Sequence, residues 1–108
     1  MKKQEYDCEA IVTLLSAEEG GRKVAAHSGY RPQHEISTSY QTSGTHFYVE
    51  DEIINPGETA RAYIKFVTPD AYPGCLWVGR IIHIFEGGRR VGEVKIIRIM
   101  NDLLLRTN

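Results

Sequence analysis

No stretch of this 108-residue chain approaches the roughly 20 consecutive apolar residues that cross a bilayer. The opening MKKQEYDCEA has no apolar core of the kind a secretory signal needs. Both absences predict a cytoplasmic chain with no membrane contact. Cysteine is scarce: Cys8 and Cys75 are the only two, and they make no metal-binding spacing. A reduced, buried pair inside strand-like runs is expected, because a disulfide needs an oxidising compartment to which nothing else points. The pattern Gly-x-x-x-x-Gly-Lys-Ser/Thr is missing, so nothing cradles a nucleotide and no GTPase activity is expected. An excess of positive charge is missing too. At a net charge of -1, any contact with nucleic acid needs a local patch.

Catalytic and metal-binding groupings are also lacking. His27, His34, His46 and His83 are scattered, and a zinc at His34 and His46 would need adjacent strands and a third ligand. No Ser/His/Asp or Cys/His set stands in a plausible context. Glu50, Asp51 and Glu52 read as a solvated turn at a strand end. The chain is therefore expected to be no enzyme, with no metal and no cofactor.

Helical periodicity is absent as well. Instead, residues alternate with period 2. Cys8, Ala10, Val12 and Leu14 share one face of a strand, and Ala60, Ala62, Ile64 and Phe66 share one face of another. Thr45, Phe47 and Val49 alternate with His46, Tyr48 and Glu50. A more polar strand is expected over 33–40, and two long ones over 76–85 and 91–100. NDLLLR (101–106) is expected to form a terminal turn or strand. Asn55-Pro56-Gly57-Glu58 and Tyr72-Pro73-Gly74 are turns, with Pro presetting φ and Gly free to take positive φ. With 42% hydrophobic and 25% charged residues, the composition is that of an ordinary globular domain. A chain this long buries roughly 65% of its unfolded surface. The expectation is one domain, all-β: about six antiparallel strands closed into a barrel or sandwich, because closure removes exposed edges.

One short motif occurs twice: Glu19-Gly20-Gly21-Arg22 and Glu86-Gly87-Gly88-Arg89. Between two apolar runs, Gly87-Gly88 signals a hairpin whose central positions both need positive φ. The first copy belongs to Leu15–Arg22, followed in order by Gly29–Gln33 (GYRPQ), Thr42–Thr45, Asn55–Glu58 and Glu86–Gly92. This ordered set, spanning about Glu9 to Met100, resembles the third, C-terminal β-barrel domain of bacterial-type elongation factor Tu.

The resemblance implies a six-stranded antiparallel closed β-barrel that, in the full factor, packs on a second barrel and a GTPase domain. It also implies contacts with the T-stem backbone of aminoacyl-tRNA. Those contacts fall here on Gln33, on Thr42 or Ser43, and on Glu86 with Gly87. Arg22 and Lys23, and Arg89 of the second motif, supply basic groups nearby. Such a surface positions RNA through phosphate and 2′-OH contacts without reading sequence. Phe85 stands where the family carries an arginine, with Arg90 and Arg98 as replacement charges. The segment 68–79 is longer than the family's and carries Trp77.

Two functions follow as expectations. The first is a stand-alone, non-enzymatic module that binds a protein partner of the factor or imitates its third domain, or that self-associates. Tyr72, Trp77 and Phe85 are its candidate anchors, since Trp and Tyr dominate interface hot spots. The second is an auxiliary RNA-binding module that touches the acceptor/T-stem arm of aminoacyl-tRNA. Non-specific nucleic-acid binding runs at ~10⁻⁴ to 10⁻⁶ M even for basic proteins, so a lone barrel of this charge favours the first.

Overall fold

The computed structural model describes residues 6–107. Eight strands follow one another: β1 (Cys8–Leu14), β2 (Ala26–His27), β3 (Gln33–Ser37), β4 (Tyr40–Tyr48), β5 (Ile53–Ile54), β6 (Thr59–Phe66), β7 (Ile81–Glu86) and β8 (Arg89–Ile99). Six of them close into an antiparallel barrel in the order β1-β6-β4-β3-β7-β8, with β8 returning to β1. β2 and β5 pair separately as a small ribbon. The helical elements among the described residues are three single 3-10 turns, at Ala17–Glu19, Pro69–Ala71 and Asp102–Leu104.

The period-2 faces become the barrel wall as expected. Cys8, Ala10, Val12 and Leu14 point inward from β1, and Ala62, Ile64 and Phe66 point inward from β6. Ile82 and Ile84 of β7 and Val94 and Ile96 of β8 complete the apolar filling. Each of the Val, Leu, Ile and Phe side chains removed from water contributes about 1.5–3 kcal/mol. Val91 and Gly92 are buried in succession, which strict alternation forbids. The register slip between Ile84 and Phe85 on the facing strand explains it, since a bulge lets two residues of β8 oppose one.

The turns hold their assigned roles. Glu58 N–H donates to the Asn55 carbonyl at 3.0 Å, closing the Pro-Gly turn. Gly87 and Gly88 take φ of 55° and 87°, as a two-residue hairpin between paired Glu86 and Arg89 requires. Asp7 locks the barrel's opening end. Its Oδ2 accepts the Phe66 amide at 2.7 Å and its Oδ1 the Asn101 side chain at 2.9 Å.

Several expectations need correction. The strand expected from Leu76 starts only at Ile81. Leu76 instead bridges Leu105, because its buried side chain anchors the 68–80 crossover against the C-terminal turn. Cys75 consequently lies outside any strand and is half-buried, whereas Cys8 is wholly buried in β1; both are free thiols. The 33–40 segment divides at a turn after Ser37, and Tyr40 already belongs to β4. The β2–β5 ribbon carries too short a pattern to have been anticipated.

Candidate functional site

The two Glu-Gly-Gly-Arg motifs adopt different turns and grip each other. The first follows a capped 3-10 turn. Ser16 Oγ accepts the Glu19 amide at 3.2 Å, and Glu19 Oε1 accepts the Ser16 amide at 2.9 Å, a reciprocal capping box. Gly20 ends that turn at φ 96°. At Gly21 the reason for glycine is space, since a Cβ there would stand 2.3 Å from the Leu15 carbonyl oxygen.

From this loop Arg22 reaches the second motif, where its Nη1 donates to Glu86 Oε2. In return, Arg89 Nη1 donates to the carbonyls of Gly20 and Gly21 at 3.4 and 3.3 Å. The remaining Arg22 donors hold the Val24 and Ala25 carbonyls at 3.1 and 3.0 Å. Tyr30 donates its hydroxyl to the same Glu86 oxygen and lies 4.6 Å beneath the Arg22 guanidinium. Partial burial pulls the Glu86 carboxyl upward, but the hydrogen bonds from Tyr30 and Arg22 outweigh it and hold the group below its ordinary value. Burial, then the bond to Glu86, pushes the Tyr30 hydroxyl up.

Arg22, Lys23, Val24, Glu86 and Arg89 line an open cleft of about 350 Å³. Four of the candidate residues, Arg22, Lys23, Glu86 and Arg89, thus gather at one end of the barrel, with Gly87 at the tip of the adjoining hairpin. Gln33 lies apart, on β3, and donates to Ser43 Oγ at 2.9 Å. Thr42 is only 4% exposed. Ser43 is therefore the residue of that pair on the outer face. Arg90 and Arg98 are not free replacement charges: Arg90 pairs with Glu93 at 3.2 Å and Arg98 with Glu9 at 3.1 Å.

The aromatic candidates separate. Trp77, 40% exposed, precedes β7 and lies beneath the guanidinium groups of Arg80 and Arg106, each 5.0 Å from its ring. Tyr72 packs on Tyr40 with ring centroids 5.0 Å apart. Phe85 sits near the opposite end of β7, between Gln33 and Arg90, so it shares no surface with Trp77. Around Trp77 and Tyr72 the exposed apolar side chains accumulate. Tyr40, Val67, Val78, Ile81, Leu103 and Leu105 all lie where β6 ends, β4 and β7 begin and the C-terminal turn crosses. Among the described residues only two other large apolar side chains are exposed, Val24 and Ile53.

The barrel interior holds a polar pair. His34 and His46 are wholly buried on adjacent strands, with Nε2 atoms 3.0 Å apart. His34 Nδ1 is 3.4 Å from the Thr42 carbonyl and His46 Nδ1 is 3.3 Å from the Tyr48 hydroxyl. A carbonyl only accepts, so His34 carries its proton on Nδ1 and its Nε2 accepts from His46. His46 Nδ1 then accepts from Tyr48. Every ring nitrogen is satisfied with both rings neutral. Burial lowers His34 to about 4, and burial together with His34 lowers His46 well below its ordinary value. Adjacent strands, one of the two conditions set for zinc, are present. No grouping of three metal-binding side chains occurs among the described residues.

Fold and surface together define a closed six-stranded antiparallel β-barrel with an apolar end and a cationic cleft at the other. The chain matches no known protein-family model.

Proposed function

We propose that this chain is a non-enzymatic binding module that docks a protein through the barrel end carrying Trp77 and Tyr72. The observation behind this reading is the crowding of exposed apolar side chains there, with Trp77 at 40% and Val78 at 66% exposure. Contiguous apolar surface of this kind marks interaction sites on soluble domains, and an aromatic anchor flanked by Arg80 and Arg106 has the composition of an interface hot spot. On the resemblance to the third barrel of elongation factor Tu, the partner is a protein that handles the factor, such as its nucleotide-exchange factor, or a second copy of this chain. The RNA-binding alternative is weakened because Arg22 and Glu86 already occupy each other.

The test uses one preparation for three measurements: sedimentation, titration with purified exchange factor, and titration with tRNA across a salt series. Self-association or exchange-factor binding that disappears in Trp77→Asp is expected. Binding to tRNA is expected to be weaker than ~10 µM at physiological salt. Sub-micromolar tRNA binding with a steep salt slope, lost in Arg22→Glu or Arg89→Glu, refutes this reading and establishes the RNA one.

A further inference from the structure

At the opposite end, we propose that the cleft between residues 22–24 and the β7–β8 hairpin binds a peptide carboxylate carried beside an aliphatic side chain. The lining holds three cations and one carboxylate. That carboxylate is spent, since Glu86 Oε2 takes both Arg22 and Tyr30. Arg22 is spent with it. One whole cationic head and part of another remain for a ligand. Lys23 is exposed and makes no ion pair among the described residues. Arg89, with its side chain 53% exposed, spends Nη1 on the Gly20 and Gly21 carbonyls. It keeps Nη2 3.8 Å from Glu86 Oε1, an ion-pair distance too long for a hydrogen bond, so the N–H groups of Nη2 are left to a ligand.

Val24 gives the ligand its second feature. It is 65% exposed and lines the cleft beside the charged groups. A carboxylate held by Lys23 and Arg89 places the adjoining ligand side chain over it, and an aliphatic one removes that surface from water. Nucleic acid fits less well. A duplex needs a track of cations along successive phosphates, and Glu18 and Glu19 stand exposed on the turn next to Gly20. A single carboxylate on an apolar neighbour suits a cleft of about 350 Å³. Such a group comes either from a chain's C-terminus or from an internal Asp or Glu.

The experiment follows backbone amide shifts of the whole chain by two-dimensional NMR. The probes are an acetylated Gly-Gly-Leu peptide with a free C-terminus, its C-terminal amide, an acetylated and amidated Leu-Glu-Gly peptide, and its Leu-Gln-Gly counterpart. Because exposed ion pairs are individually weak, the expected Kd is about 0.1–1 mM. Shifts should centre on residues 22–24 and 86–89 and appear only with acid-bearing peptides. Which of the two acids binds better identifies the source. Lys23→Glu is expected to weaken binding about three- to tenfold, whereas Glu86→Gln, which leaves the Arg22 charge uncompensated, tightens it about threefold. A purely structural role for Glu86 predicts no tightening. Equal responses to acid and amide, or no shift in this region at about 5 mM peptide, above the expected Kd, overturn the proposal. So does a short RNA duplex that moves these same amides at lower concentration, which assigns the cleft to nucleic acid.

Discussion

Lowering the pH should destabilise this barrel before its carboxylates titrate, and the cause is the pair buried inside it. Above pH 6.5 the imidazoles of His34 and His46 are neutral in both the folded and the unfolded chain. Below that value the unfolded chain takes up protons, while burial keeps His34 neutral down to about 4 and His46 neutral in the same direction. The unfolded state then binds more protons, so stability falls as pH drops through the window from 6.5 to about 4. At pH 5, His34 alone removes about 2 kcal/mol. His46, shifted in the same direction, adds to that loss, against a total of about 5–15 kcal/mol for a typical domain. From His34 alone the melting temperature should drop by roughly 8–15 °C between pH 7.5 and 5, and His46 enlarges the drop. The carboxyls of Glu86 and Glu19 sit below their ordinary values, so their stabilisation is lost only as pH falls further. Urea unfolding at pH 7.5, 6 and 5 measures the effect, with His34→Leu/His46→Leu as reference. His27, exposed, and His83, half-buried near Glu35, are common to both proteins and cancel in the comparison. A difference between the two proteins that stays constant from pH 7.5 to 5 refutes the reasoning. So does an imidazole signal from either residue that titrates near pH 6.5 in the folded state.

Gly88 sits at φ 87°, which a β-branched residue adopts only with strain, so Gly88→Val should cost about 1–3 kcal/mol in thermal or urea unfolding; unchanged stability means the hairpin has been misassigned. Removing Glu86 alone leaves Arg22 and Tyr30 without their shared acceptor, and Glu86→Ala should cost about 1–2 kcal/mol, kept at the low end because both charged side chains are partly exposed. Arg22→Gln combined with Glu86→Gln should cost less than the two single changes added together, and a double-mutant cycle with no coupling contradicts the interlock.

Most of the barrel was legible because alternation is a local signal. Ala60 to Phe66 needs no distant partner to show which side chains turn inward, and Asn55-Pro56-Gly57 announces its turn in consecutive residues. The failures came where the deciding contact is remote. Leu76 reads as strand because it is followed by apolar residues, yet its partner is Leu105, and that bridge pulls the 76–80 segment out of the wall. The burial and mutual contact of the histidine pair were hidden for the same reason. His34 and His46 lie on the inward faces of β3 and β4 only because a turn after Ser37 sets that register. With a slip of one residue in β3, His34 would face solvent and the pair would be lost.

The repeated Glu-Gly-Gly-Arg motif shows the limit most sharply. Identical letters do not fold here into identical turns. In the fold the two copies differ because their neighbours differ. Ser16 caps the first into a 3-10 turn, and paired strands force the second into a hairpin. Two unlike turns can then be complementary where two like ones could not. The first offers its carbonyls at Gly20 and Gly21 and extends Arg22, while the second offers Glu86 and extends Arg89. Each arginine therefore has an acceptor 64 or more residues away in the chain, a pairing set only when β8 returns to β1 and closes the barrel. The charges that read as an RNA-facing surface are largely consumed in holding that closure. What remains free at this end is Lys23 and part of Arg89, and this is why the cleft suits one carboxylate better than a row of phosphates.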